Sequence, residues 1–457
     1  MQGGKRLYFP LLALFFFCQW KWASCCIERR QLAAGDAGDH NKKGGRRKKH
    51  TLKKKKTKQQ TGGTKGGDRR NNRLSHAADL SIKDICLPFK QNPIAQSCTS
   101  FEQSKCLSFG SCNISAPTFH FSPPVRYYNE SHCGKVIPTE KDYQKRLFWE
   151  SIASNLGLLA ESGESACLTL LYMKPQYYLM KHNNQSPCRV SPRQLVEVQW
   201  GRRQGIAFIN HLDPAPTWWP DLLGRPIQLA SHMLACFYRP NYDVSIPLFY
   251  DTHRKEKIEA YYNIHVGNPL PPDQRAFLLT LKASAYIEPR GASRLSLLEL
   301  HDPANGVVIQ LTCKPGRDQS KLCKNLYEAQ EQNGFYDYDY LMNTTFALVP
   351  EGRSPASYRL NEALAAGAIP VFFGDTGNTY VRPFAGMLDW DAISLSFTTA
   401  KVNEILPTLM AIDSTTRLRM QALGQEVFRH YFRSNQVMAA TIMTLLKRRV
   451  QAIRVSP

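Results

Sequence analysis

Residues 350–367 crowd together the side chains with the clearest chemistry in the chain: Gly352, Arg353, Ser357, Arg359 and Glu362, in PEGRSPASYRLNEALAAG. A glycine lets backbone approach a ligand closely. Arginines offer forked, permanently charged donors that suit phosphate oxygens. A carboxylate set a turn and a half beyond Ser357 is placed to accept from sugar hydroxyls. Together these types ask for a nucleoside diphosphate rather than a free anion. The same stretch also suits an ordinary strand–loop–helix with solvated arginines.

These residues need an element on each side. The apolar run TFALVP (345–350) reads as a buried strand, and SYRLNEALAAG as a helix capped by Ser357 and closed by Gly367. In parallel α/β folds the ligand crevice lies beyond the carboxyl ends of the strands, where the next helix presents free N–H groups. The surrounding pattern agrees. A helical period runs through QKRLFWESIASNLGLLA (144–160) and PRQLVEVQW (192–200). CLTLLYM (167–173), GIAFINH (205–211), ASHMLACFY (230–238) and VSIPLF (244–249) read as strands. A polar, Pro-rich break over 251–275 follows. Strands are then expected at 277–283, 307–313, 368–374 and 392–397, with a short helix at 293–300. Helices over roughly 400–411, 414–432 and 435–452 finish the chain. The alternation predicts two α/β units with parallel sheets.

Ahead of them the composition changes. The chain has 457 residues and a formal charge of +22, of which the first 73 residues carry +16. Between Asn41 and Arg73 stand 15 Lys or Arg and one acid, Asp68, with almost nothing to bury. Such a segment stays disordered. Lys5 and Arg6 precede an apolar run, Leu7 to Phe17, extended by Trp20, Trp22 and Ile27. That is a signal-anchor or a cleaved signal. It favours a solvated stem over a nucleic-acid tract for KKGGRRKKHTLKKKKTK, so no nucleic-acid partner is expected. Thirteen cysteines without zinc-type spacing point to disulfides in an oxidising lumen. Sequons stand at Asn113, Asn129 and Asn343, with a poorer one at Asn184.

The stretch YDYDYLMNTTFALVPEGRSPASYRLNEALAAGAIPVFF resembles the core of the exostosin domain, glycosyltransferase family 47, and within it the heparan sulfate copolymerases. RPNYDVSIPLF, VVIQLTCKPGRDQSKLC, SKCLSFGSC and VRPFAGMLDWDAISLSF are similar to further segments of that family, so the resemblance spans roughly 98–450. It implies a GT-B fold, two Rossmann-like lobes facing across a cleft. A signal-anchor would span 1–27, a basic stem 28–95, an acceptor-side lobe 96–265 and a nucleotide-sugar lobe 266–457. It implies inverting transfer from a UDP-sugar to a glycan or proteoglycan acceptor, without a metal or other cofactor. The setting would be the Golgi or endoplasmic reticulum lumen, as a type II membrane protein that can pair with related transferases. Arg353, Ser357, Arg359 and Glu362 would contact UDP, with Arg294 as a further donor-binding arginine. Cys313 and Cys323, ten apart, are expected to pair.

Departures from the family are visible too. Ala347 stands where the copolymerases have cysteine, and EGRS replaces Arg-Gly-Arg-Arg, which brings Glu351 near the proposed phosphate. The chain stops before a second transferase domain could begin. An inverting transfer needs a base from the first lobe. Asp221 in TWWPD is the first candidate, with Trp218 and Trp219 as a sugar platform; Asp213 and Asp243 compete. A turn aspartate and an Asp243–Arg239 salt bridge are the plainer readings. His211 and His232 sit in apolar context and read as core. A non-catalytic partner of an active transferase is the alternative function.

Overall fold

The computed structural model describes residues 112–122, 140–172, 205–210, 227–236, 238–265, 270–285, 293–313, 323–326, 328, 336–352, 355–375 and 380–452. It contains two five-stranded, wholly parallel sheets. The first is built from β1 (Phe119–Phe121), β2 (Leu168–Tyr172), β3 (Gly205–Asn210), β4 (Ile227–Ala230) and β5 (Val244–Ser245), side by side in chain order. The second is built from β6 (Phe277–Ser284), β7 (Val307–Thr312), β8 (Thr344–Pro350), β9 (Ile369–Phe373) and β10 (Leu395–Phe397). Its order is β10-β9-β8-β6-β7, so the direction of strand addition reverses between β6 and β8. This two-lobed α/β architecture is a GT-B fold.

Continuous apolar runs explain the central strands. All seven residues of β8 and all five of β9 are buried, as expected of strands covered on both faces. The helices are α1 (Glu140–Asn155), α2 (Thr252–His265), α3 (Ser293–Ser296, continued by a 3₁₀ turn to Leu300), α4 (Arg359–Ala365), α5 (Ile405–Ala411), α6 (Ser414–Val427) and α7 (Asn435–Gln451). One core runs through both lobes: Phe119, Trp149 and Leu168 of the first belong to the same cluster as Ala347, Leu360 and Ile442. A second cluster, with Leu281, Leu348 and Val371, covers the far face of the second sheet.

Several expectations need correction. The helix over 144–160 closes at Asn155, because Gly157 turns left-handed (φ 65) and Leu158 drops into the core. Leu158 and Ala160 then bond β1, a strand the cysteine-rich entry concealed. The strand expected at 230–238 lies upstream at Ile227–Ala230, and that at 244–249 shortens to two residues. The supposed break at 251–275 holds α2, which packs on α4. The helix at 192–200 lies outside the described residues, as does the whole N-terminal segment and stem. Among the described residues no helix is long and apolar enough to cross a membrane.

Cys313 pairs with Cys323, and Cys112 with Cys167, tying the entry segment to β2. Asn113 is exposed, its Oδ1 accepting from the N–H groups of Ser115 and Ala116. Asn343 is a poor sugar acceptor: Thr344 and Thr345 are buried in β8, and Thr345 Oγ1 donates to Pro272 O.

Candidate functional site

A parallel sheet opens a crevice where its strand order reverses, beyond the carboxyl ends. In the second sheet that point lies between Ser284 of β6 and Pro350 of β8. Arg294 sits there. Its guanidinium donates to the carbonyls of Glu351 (2.8 Å), Ser284 (3.0 Å) and Pro350 (3.4 Å). It therefore ties the two strand ends together and fixes the loop after β8, instead of reaching out as a free donor arm.

The loop continues through Gly352, buried, to α4; Arg353 lies outside the described residues. Helix α4 begins at Arg359, and its cap position is Tyr358 without a side-chain cap bond. Ser357, expected as the N-cap, gives a weaker version of that role: its Oγ accepts from Arg359 N at 3.4 Å and its carbonyl from Leu360 N. With only seven residues, α4 contributes little dipole, so charge at the site has to come from side chains. The helix ends cleanly. Gly367 takes φ 66, Gly367 N bonds Leu364 O, and Ala368 N bonds Ala363 O.

Arg359 and Glu362 both lie on α4 and both are nearly enclosed. Arg359 donates weakly to Thr280 Oγ1 (3.4 Å) and Met342 Sδ (3.5 Å), while its Nε is buried without a partner. Among the described residues no carboxylate pairs with it. Glu362 Oε2 accepts the O–H of Tyr338, and Oε1 has no partner among the described residues. A cation and a carboxylate three positions apart on one helix, each with spare capacity, form the bonding inventory that a charged, hydroxyl-bearing ligand needs.

The neighbouring residues come from three elements. Tyr338 lies in the turn before β8, its ring under the Arg359 guanidinium (5.2 Å) and the Lys257 ammonium (4.9 Å). Helix α2 contributes Lys257, Arg254 over the Tyr358 ring (3.8 Å), and Tyr261, whose O–H donates to Asp339 Oδ1 (2.5 Å). From β6 come Thr280 and Lys282, the latter donating to Tyr336 O. Burial lowers the Lys282 pKa while Asp337 opposes it, and burial pushes the Tyr338 hydroxyl pKa up, so that it stays a donor. The sequence reading did not single out Tyr338, Lys257 or Tyr261. Tyr338 alone had a local signal, the repeated aromatic–acid pair in YDYDY; Lys257 and Tyr261 stand in a stretch that reads as a polar break.

Glu351 does not face the α4 mouth with a bare charge. Its Oε1 accepts Asp375 N–H at 2.7 Å, and the side chain lies over Gly374 (φ 151). The positive φ favours glycine at 374, and a Cβ there would also stand 2.3 Å from Glu351 Cδ and displace that side chain.

Of the catalytic candidates, Asp221 lies outside the described residues, as do Asp213, Trp218, Trp219 and His211. Asp243 is described and is corrected. It is fully buried, its two oxygens taken by Arg239 Nη2 (2.8 Å) and Nε (2.8 Å), Gln228 N (2.8 Å) and Arg239 N (3.0 Å). A carboxylate so occupied cannot take a proton from an acceptor. Among the described residues no three His, Cys, Asp or Glu gather as a metal-holding group.

Residues 148–412 match the family model described as the Exostosin GT47 domain, more than half of the chain. Exostosin-1b of Danio rerio is 30% identical over 244 residues, covering 51% of this chain and 32% of that protein. Exostosin-1 of Drosophila melanogaster is 30% identical over 245 residues (51% and 31%), and that of Bos taurus 29% over 243 residues (51% and 32%). The chain thus spans about a third of the length of the curated relatives it matches. Among solved structures, a sucrose-phosphate synthase from Thermosynechococcus elongatus covers 74% of this chain at 14% identity and TM-score 0.32. An E. coli structure described as trehalose-6-phosphate bound with UDP-2-fluoro glucose covers 70% at 11% identity and TM-score 0.36. These structural likenesses are weak.

Proposed function

The chain belongs to the Exostosin GT47 domain family, and from that premise we propose that it is a glycosyltransferase that moves a sugar from a UDP-sugar, glucuronic acid first among the candidates, to a glycan or proteoglycan acceptor with inversion. The observation that carries the reading is the pair Arg359 and Glu362 on the helix that follows β8, each with unused bonding capacity among the described residues. Arg359 would neutralise the departing diphosphate, where an enclosed cation is worth more than one in water. Glu362 Oε1 would accept from the ribose hydroxyls. The disulfides Cys112–Cys167 and Cys313–Cys323 agree with a secretory-pathway lumen. No metal is assigned a role; the base would come from the first lobe, with Asp221 the first candidate and Asp213 its competitor.

A donor screen tests this. The full chain is incubated with the UDP-linked forms of glucuronic acid, galactose, xylose and arabinose, and UDP release is measured with and without glycan acceptors. One donor is expected to release UDP in wild type, with at least a tenfold loss in Glu362→Gln and Arg359→Met, each removing about 1.4 kcal/mol or more of donor interaction. Release in both variants at the wild-type rate would remove the site assignment.

A second reading is a family member without catalysis that stabilises an active transferase. It is favoured by Arg294, which is committed to backbone carbonyls, and by Glu351 in the loop after β8. Release from no donor, together with co-purification of another transferase, would establish it.

A further inference from the structure

Arg359 and Glu362 stand at i and i+3 on α4, a spacing at which opposite charges on a helix ordinarily meet. Here they do not pair. Glu362 gives Oε2 to the Tyr338 O–H, and Arg359 directs its guanidinium to Thr280, Met342 and the Tyr338 ring. We propose that Tyr338 is a positioning residue of the donor site, which keeps Glu362 and Arg359 from collapsing into an ion pair with each other. The inference rests on the reading that these two residues bind the nucleotide.

The geometry supports it in three ways. First, the segment holding Tyr338 is itself pinned on both sides. Lys282 Nζ donates to Tyr336 O, Tyr261 donates to Asp339 Oδ1, and Thr280 Oγ1 donates to Leu341 O at 2.7 Å. Asp337 Oδ1 accepts Asp339 N at 2.7 Å and Tyr340 N at 3.3 Å. The phenol therefore arrives at a fixed place without needing Glu362 to hold it. Second, one hydroxyl turns the carboxylate so that Oε2 is occupied and Oε1 is free, an orientation suited to a vicinal pair of hydroxyls. Third, the ring face takes part of the Arg359 charge, which lowers the cost of leaving its Nε unpaired. Without the hydroxyl, the carboxylate is free to rotate toward the guanidinium one turn away. Each group would then satisfy the other, and UDP would have to break that pair before binding. Holding the two apart in advance removes that step.

The test is a double-mutant cycle on UDP affinity, measured by titration calorimetry on the full chain with Tyr338→Phe, Glu362→Gln and the double variant. Phenylalanine keeps the ring and removes only the O–H. Tyr338→Phe is expected to weaken UDP binding about tenfold, and to raise the donor KM while leaving kcat largely unchanged. It should add nothing in the Glu362→Gln background, because an amide forms no ion pair with Arg359. Independent, additive losses would overturn the proposal, as would a Tyr338→Phe chain that binds UDP like wild type. A marked fall in melting temperature for Tyr338→Phe would also overturn it, since the hydroxyl would then be holding the fold. If Glu362→Gln itself binds UDP normally, the donor-site reading fails and the inference falls with it. If Glu362→Gln loses binding and Tyr338→Phe does not, only the inference fails.

Discussion

Asp243 and Glu362 are both nearly enclosed carboxylates, and their partners are what tell them apart. Asp243 accepts four N–H groups, among them both ends of the Arg239 fork. Breaking such a buried pair leaves an uncompensated charge and costs about 3–5 kcal/mol. Asp243→Asn is therefore expected to lower the urea midpoint by an amount of that order, while the protein that remains folded binds UDP as wild type does. Unchanged stability with lost turnover would return Asp243 to the catalytic candidates. Among the described residues Glu362 has one hydrogen-bond partner, a single hydroxyl, and an oxygen to spare. That difference in bond count is why Glu362, and not Asp243, is proposed to meet the donor.

Edge strands hold their place through few contacts, and β7 closes one side of the second sheet. Part of its backbone is held by a side chain: Ile309 N–H donates to His301 Nδ1 at 3.0 Å. That acceptor exists only while the imidazole is neutral. Burial lowers the His301 pKa, with Asp302 opposing, so the unfolded chain binds this proton more readily than the folded one. Stability from this bond is present above the ordinary histidine pKa and is lost as pH falls through it. Wild-type melting temperature should decline between about pH 7 and pH 5 for this reason among others. His301→Asn places an uncharged oxygen acceptor near the Nδ1 position and should flatten the decline. His120, whose pKa is likewise lowered by burial, leaves a residual slope. Equal slopes in the two proteins would exclude His301 from the effect.

At the scale of the molecule, the chain stitches its lobes together from both directions. Asn435 at the start of α7 accepts Tyr250 N–H (2.8 Å) and donates to Tyr250 O (2.9 Å), and Tyr250 O–H donates to Phe432 O (2.6 Å). Asn361 of α4 donates to Leu248 O at 3.0 Å, so the stretch after β5 runs against α4. Further along, Arg449 reaches Asp243 O and Pro240 O, and α7 packs on α1. With a core continuous through both sheets, the described lobes should unfold in one transition. Asn435→Ala removes both bonds to Tyr250 and should cost about 1–3 kcal/mol, lowering the midpoint of that single transition. Two resolved transitions in wild type would show that the seam does not couple the lobes.

The apolar runs at 277–283, 307–313, 345–350 and 368–374 located four strands of the second sheet, because strands covered on both faces are mostly apolar. Gly367 marked the end of α4 for a reason equally local: its left-handed backbone. The cysteines ten apart did pair. In contrast, α2 was hidden in the sequence, since THRKEKIEAYYNIH carries too little apolar surface to stand out from a linker, and it is a helix that packs on α4. The sequence proposed Arg294, Arg359 and Glu362 for the donor and Asp243 as a competing base, without showing which of them is free to bind. Only the tertiary structure separated them, because the availability of a charged group depends on partners brought from far along the chain. Tyr338 stands 24 residues from Glu362, and the carbonyl of Glu351 stands 57 from Arg294. No local pattern encodes those meetings.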